Sequence, residues 1–257
     1  MNENPIASKN NVFFKKLKKI YSSSSFRKKQ EQTILDGPHL IQSFIKHNKP
    51  IAIIEDLSIK NSEIKKIISD TNCPCYSLSH ELFLQLSELK TSTGVLALVK
   101  TPKNQILNYD GLTLLLDAIQ DPRNLGSILR TAKATNVNSI VMSKTCADLW
   151  SPKTLRGSQG VQFSLNCIVE QNLDNWILNY KHKVIGLAPH GKSVFKKKLS
   201  LNMAILVGNE GHGISSSLLK KISETISLPM HEDVESINVG AAASAFMYEY
   251  YRQMNVA

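Results

Sequence analysis

From residue 111 to the C-terminus, short unbroken apolar runs alternate with stretches whose apolar residues recur at helical spacing. LTLLLDA from Leu112, SIVMS, VIGLA, MAILVG and TISLP read as strands. Pro122 to about Thr135, Ser216 to Glu224 and Gly240 to Gln253 read as helices. Alternation of this kind predicts a parallel sheet with helices on both faces. Asp121 followed by Pro122 makes a good helix start, an N-cap carboxylate ahead of a proline in the first turn.

Residues 30–105 carry a smaller α/β pattern. A helical stretch covers His39 to His47, IAIIED (Ile51 to Asp56) reads as a strand, and a helix follows near Glu63 to Ser69. CYSLS, a helix through Glu81 to Leu89 and the buried strand Gly94 to Lys100 complete it. The polar TPKNQILNYD, Thr101 to Asp110, contains Pro102, breaks the periodicity and reads as a linker. The expected organisation is a basic arm over 1–29, a small α/β domain over 30–105 and a larger one over 111–257. There is no internal repeat, and Ser22 to Ser25 is the one low-complexity patch.

A chain of 257 residues can bury a core in one domain or two. Its formal net charge of +10 calls for a polyanionic partner or an anionic membrane surface. No apolar run approaches the roughly 20 residues that span a bilayer. The N-terminus lacks the apolar segment of a secretory signal. Cys73, Cys75, Cys146 and Cys167 are too few and too scattered for a disulfide framework, which fits a reduced, cytosolic compartment. Positive charge gathers at the start, in Lys15, Lys16, Lys18, Lys19, Arg27, Lys28 and Lys29, interleaved with Phe13, Phe14, Leu17, Ile20 and Tyr21. An amphipathic membrane-surface helix, an RNA-contacting arm and a solvated first helix all fit that pattern.

One motif points elsewhere. GLAPHGKS, Gly186 to Ser193, matches the phosphate-loop pattern after a strand, and LTLLLD ending at Asp117 could pass for a Mg²⁺-binding strand. That makes a P-loop nucleotide triphosphatase a rival. Against it, Pro189 removes an N–H from a loop that must cradle phosphate with N–H groups. VFKKKLSL leaves little helix to aim at a phosphate, and the metal strand would precede the loop instead of following it. The histidines show no metal-ligand spacing, and Cys73 and Cys75 are separated by Pro74 alone, so no metal is implied.

Three further segments fit one kind of site: DPRNLGSILRTA (Asp121 to Ala132), LVGNEGHGIS (Leu206 to Ser215) and LPMHEDVESINVGAAASAF (Leu228 to Phe246). Each places Asn, Gly, Glu or Ser where an apolar strand hands over to a loop or helix, the place where open α/β sheets assemble binding sites. In order and spacing the three resemble the signature motifs of the SpoU (TrmH-like) branch of the SPOUT methyltransferases, from about residue 111 to the C-terminus. LSELKTSTGVLALVK is similar to the late helix, Thr-rich turn and strand of the L30e-like substrate-binding domain that precedes the catalytic domain in many such enzymes. Two positions depart from the family pattern: Glu232 stands where glycine is frequent, and Ile237 replaces leucine.

The resemblance implies a SPOUT-type parallel sheet with a deep trefoil knot and an L30e-like RNA-binding domain. The implied activity is S-adenosylmethionine-dependent methylation of a ribose 2′-hydroxyl in RNA by a cytosolic homodimer. The extra N-terminal domain favours ribosomal RNA, with a 23S rRNA guanosine preferred. A tRNA 2′-O-ribose methyltransferase and a non-catalytic RNA-binding ribosome-assembly factor are the alternatives. By the same resemblance Arg130 and Asn124 correspond to the first-motif catalytic residues, with Glu210, Ser236 and Asn238 completing the catalytic set. Leu187, Gly208, Leu228, Met230, Ile237 and Asn238 would contact the cofactor, with Ala188 and Pro189 beside them, and Glu210 would accept from a ribose or from Arg130. Lys15, Lys16, Lys18, Lys19, Arg27 and Lys28 would contact RNA. Methyl transfer to a hydroxyl needs near-attack geometry, removal of a proton and support for the oxygen as charge develops. A guanidinium keeps its proton, so Arg130 fits a clamp better than a base.

Overall fold

A computed structural model of the chain describes residues 5–87, 91–102 and 109–255. The chain divides into two compact units, Met1–Lys103 with Trp150–Phe163, and Asn104–Leu149 with Ser164–Ala257.

The first unit contains α1 (Val12–Ser22), α2 (Ser24–Gln30), β1 (Gln32–Asp36), α3 (Pro38–Ile45), β2 (Ala52–Asp56), α4 (Ser62–Thr71), β3 (Cys75–Leu78), α5 (His80–Leu84) and β4 (Val95–Lys100). Its sheet runs β1-β4-β2-β3, antiparallel except for the β2–β3 pair. The period of two along each strand separates two cores. Ile34, Ile54, Leu96 and Leu98 face Phe14, Leu17 and Ile20 of α1. Leu35, Ile53, Ala97 and Val99 face Leu40, Ile41 and Phe44 of α3, with Ile64 and Ile67 of α4.

The expected 1–29 arm is therefore corrected: its apolar residues at helical spacing close the core of this unit. Arg27 is also corrected as an RNA contact. It is 5% exposed, and its guanidinium donates to the carbonyls of Ile20 and Tyr21, tying α2 to the end of α1. Lys15, Lys18, Lys19 and Lys28 are exposed and Lys16 is half-buried. A second correction concerns residues 150–163, which belong to this unit although they lie far along the chain. They include a helix, Pro152–Ser158, whose Leu155 joins the second core. Arg156 pairs with the buried Asp36 carboxylate at 3.0 Å, and Thr33 donates to the carbonyl of Trp150 at 2.6 Å.

In chain order, that Pro152–Ser158 helix is α7. The second unit holds β5 (Leu112–Leu116), α6 (Pro122–Ala134), β6 (Ser139–Ser143), β7 (Cys167–Gln171), α8 (Leu173–Asn179), β8 (Lys183–Ser193), β9 (Met203–Val207), α9 (Ser216–Leu219), β10 (Glu224–Ser227) and α10 (Val239–Asn255). All pairings in the order β10-β8-β9-β5-β6-β7 are parallel. Central β5 is buried at every residue, as a strand covered on both faces must be. The chain moves outward from β5 through β6 and β7, then crosses to β8 and returns to place β9 beside β5. That reversal is a topological switch, and crevices open at the carboxyl ends of strands beside such a point.

The expected helix from Ser216 to Glu224 ends at Leu219, because Glu224 already begins β10. The expected helix from Glu81 ends at Leu84 as α5; its final positions 88–89, like linker positions 103–108, lie outside the described residues. β1, α7, β7 and α8 were not anticipated from the periodicity. Among the described residues no helix is long and apolar enough to cross a membrane, and no cluster of three or more His, Cys, Asp or Glu could hold a metal ion.

Candidate active site

A cavity of about 300 Å³ opens at the carboxyl ends of β8, β9 and β10. Three stretches form its walls: 187–190 from β8, 207–213 from the end of β9 onward, and Leu228, Met230 and 235–237 after β10. Val239 and Ala242 of α10 complete it.

The first wall is the phosphate-loop look-alike. In the pairing of β8 with β10, Gly186 lies opposite Thr225, yet Lys192 lies opposite the next residue, Ile226. The intervening residues bulge out of register, and Leu187, Ala188, Pro189 and His190 line the cavity. Gly191 closes the bulge against β10, where an added Cβ would meet the Thr225 carbonyl oxygen at 2.8 Å. Ser227 Oγ donates to the carbonyl of Gly191 at 3.0 Å. The segment therefore forms a cavity wall within a strand and leads into a three-residue 3-10 turn, Val194–Lys196, instead of an α-helix aimed at a phosphate, and the nucleotide triphosphatase alternative falls.

The second wall is a closed loop. Asn209 and Gly213 exchange two backbone hydrogen bonds of 2.9 Å. Gly208 packs so closely against the backbone of Gly213 and Ile214 that no Cβ could be accommodated. Gly213 adopts φ +67°, a left-handed conformation that favours glycine. Asn209, unassigned in the sequence, organises the turn. Its Oδ1 accepts from the N–H groups of Gly211 (3.0 Å) and His212 (3.1 Å), while Nδ2 donates to the carbonyl of Ala118 at 2.8 Å. Ala118 has φ +56° and its own N–H donates to Ser143 Oγ, so this strained residue is held from both sides. The only sequence signal for Asn209 was its place between Gly208 and Glu210.

A relay of amides and a carboxylate joins the three motifs. Glu210 accepts from Asn124 Nδ2 at 3.1 Å and from the backbone N–H groups of Gln120 (3.2 Å) and Asp121 (3.1 Å). Asn124 Oδ1 accepts from Asn238 Nδ2 at 2.9 Å. Asn238 Oδ1 accepts from the N–H groups of Gly240 (2.9 Å) and Ala241 (3.2 Å), capping α10. Partial burial opposes ionisation of Glu210, but the hydrogen bonds from Asn124 and the backbone outweigh it and hold the carboxyl below its ordinary value. α6 and α10 pack through small residues, with Gly240 close to Ser127 and Thr131 Oγ1 hydrogen-bonded to Ser244 Oγ at 2.9 Å.

Of the residues expected at the site, Leu187, Gly208, Glu210, Leu228, Met230, Ser236 and Ile237 line the cavity. Asn124 and Asn238 lie behind it in the relay. Glu210, offered as an acceptor for a ribose or for Arg130, accepts within the chain from Asn124 and two backbone N–H groups. Arg130 is exposed on α6, outside the cavity lining, as its helical phase from Asn124 requires. His190, His212 and Glu235 also line the cavity and were not anticipated.

Residues 111–248 match the model of the SpoU rRNA Methylase family. The 23S rRNA (guanosine(2553)-2′-O)-methyltransferase RlmP of Bacillus subtilis is 30% identical to the chain, over 95% of it and 97% of the relative. In fold, the chain is similar to the SpoU methyltransferase AviRb from Streptomyces viridochromogenes, solved in complex with AdoMet, with a TM-score of 0.85, 24% identity and coverage of 95% and 98%. It is also similar to the AdoMet-bound rRNA methyltransferase from Sinorhizobium meliloti, with a TM-score of 0.82, 18% identity and coverage of 99% of both chains.

Proposed function

The chain belongs to the SpoU rRNA methylase family, and from that premise we propose that it methylates a ribose 2′-hydroxyl of RNA with S-adenosylmethionine. The observation that carries this reading is the cavity, whose walls come from the second and third motifs and whose relay runs back to the first. Its volume falls in the range of small-molecule sites, and its walls mix apolar side chains with exposed backbone as an adenosine-containing ligand requires. Leu187, Leu228, Met230 and Ile237 supply apolar contact, and the 208–213 loop supplies backbone groups.

The cofactor, when bound, supplies an electrophilic methyl group. The chain's own residues hold and orient. Glu210 fixes Asn124, Asn124 fixes Asn238, and Asn238 caps α10, so the walls keep one arrangement. We assign Asn124, Glu210 and Asn238 to positioning, Ser236 to contact at the cavity, and Arg130 to clamping the reacting oxygen or its phosphate. An exposed Arg130 outside the cavity suits a site completed across a homodimer. α10 supports such a dimer with an exposed stripe of Ala241, Ala245 and Tyr248. The exposed lysines of α1 and α2 suit RNA phosphates, in a unit we read as the L30e-like RNA-binding domain of a cytosolic enzyme. A 23S rRNA guanosine is the favoured target, supported by similarity to the Bacillus enzyme along almost the whole chain.

Mapping 2′-O-methyl positions in rRNA and tRNA from cells with and without the protein tests this. One rRNA ribose should lose its methyl group when the protein is absent. Unchanged maps, or tight Mg²⁺-nucleotide binding lost in Lys192→Ala, would overturn the reading.

A further inference from the structure

The stretch 175–209 contains no acidic residue, yet it carries Lys181, Lys183, Lys192, Lys196, Lys197 and Lys198. The structure sorts these lysines. Lys183 and Lys197 pair with Glu224 at 3.3 and 2.8 Å. The ammonium groups of Lys192, Lys196 and Lys198, like that of Lys181, are exposed and, among the described residues, make no hydrogen bond or ion pair. Between them stands Phe195, 58% exposed, whereas every other phenylalanine of the chain is buried or half-buried.

This segment is pinned. Val194 is fully buried on one side of Phe195. On the other, Gln253 of α10 donates to the carbonyl of Lys197 at 3.0 Å and accepts from the N–H of Leu199 at 2.9 Å. Lys192 and Ser193 are paired with β10, directly after the bulge whose His190 lines the cavity. An apolar ring held outward on a fixed turn loses the stabilisation of burial. With three unpaired cations around it, it has the composition of a platform for nucleic acid, an aromatic face for a base and ammonium groups for phosphates.

We propose that Lys192, Phe195, Lys196 and Lys198 form a docking surface for a single-stranded stretch of the substrate RNA, with a base stacked on Phe195 and phosphates on the lysines. The proposal rests on the RNA-methyltransferase reading and adds the route by which RNA approaches the cavity. A second copy of the chain fits less well, because a two-fold contact through this patch would bring like charges together.

The test uses the full chain and an unmodified 23S rRNA transcript, with affinity measured across a salt series. Replacing Lys192, Lys196 and Lys198 by Ala should lower the slope of log affinity against log salt by about 2, near 0.7 for each single-strand contact. Phe195→Ala should weaken binding about tenfold, while Phe195→Trp should retain it. Calorimetric affinity for S-adenosylmethionine and the mass from light scattering should not change in these variants. Variants that bind the transcript like the parent chain overturn the surface while leaving the enzyme reading intact. A fall in mass with RNA affinity unchanged would assign the patch to self-association. A parent chain that binds neither RNA nor cofactor would overturn the reading beneath the proposal.

Discussion

Glu210 lies at the cavity wall, and its carboxylate is engaged by donors from the chain itself. Its two oxygens receive Asn124 Nδ2 and two backbone N–H groups ahead of α6, so loss of its charge loosens the link between the first and second motifs. The folded-state pKa lies below the ordinary 4.5, through hydrogen bonds that prevail over desolvation. The stabilisation is therefore fully present above that ordinary value and disappears as pH falls through the lower folded one. Glu210→Gln should destabilise the protein by about 1 kcal/mol at neutral pH, a low figure because the group is partly exposed. Urea titrations should show the gap to the parent chain closing as the pH drops below 4.5. A gap that is constant with pH would mean the charge is not what matters. Arg130 presents the opposite case, an exposed side chain outside the cavity lining. Arg130→Ala should lower single-turnover methylation by about a hundredfold, the scale of losing one preorganised donor. Cofactor affinity should stay the same, and Arg130→Lys should not restore the rate, since an ammonium lacks the planar fork.

At the scale of the element, the loop after β9 and the bulge of β8 decide whether a cavity exists. Their glycines are not equivalent. A methyl group at Gly208 would collide with the backbone of Gly213 and Ile214, whereas at Gly211 it would make an ordinary 3.7 Å contact with Asn209. Gly208→Ala should therefore abolish calorimetric binding of S-adenosylmethionine while circular dichroism keeps the sheet. Gly211→Ala should change affinity by less than about tenfold unless the ligand itself approaches that Cα. Equal loss in both variants would show that the loop tolerates no change at all and would remove Gly208 from its special place. The bulge of β8 also shows how far a local motif can mislead. GLAPHGKS has the spacing of a phosphate loop, but such a string wraps a phosphate only when the chain continues into a helix aimed at the anion. Here the chain returns to pair with β10.

At the scale of the whole molecule, the outward stripe of Ala241, Ala245 and Tyr248 on α10 is the face we read as a two-fold contact. Light scattering should give about twice the 28.6 kDa chain mass. Tyr248→Glu should shift it toward one chain and depress methylation, since charge introduced at a self-complementary contact meets its own copy. A parent chain that is monomeric and fully active at nanomolar concentration would remove the dimer from the reading.

The sequence by itself determined the strands and helices whose signal is local. LTLLL reads as a strand from its unbroken apolar run, and Asp121 with Pro122 as a helix start. Most of the cavity wall, including Leu187, Gly208, Leu228 and Ile237, was expected from the resemblance to the SpoU motifs and not from periodicity. Tertiary structure alone decided the rest, wherever the deciding contact lies far away in sequence. Arg156 joins Asp36 across the chain and carries residues 150–163 into the first unit. Burial of Phe14, Leu17 and Ile20 turns an expected arm into part of a core, and Arg27 into a strut between two helices. β1, the first strand of its sheet in chain order, pairs with β4, the last, a register that no short window of sequence encodes. The relay from Glu210 through Asn124 to Asn238 likewise joins residues 86 and 114 positions apart. Periodicity reports which face of an element is apolar, and only the packed molecule decides what that face meets.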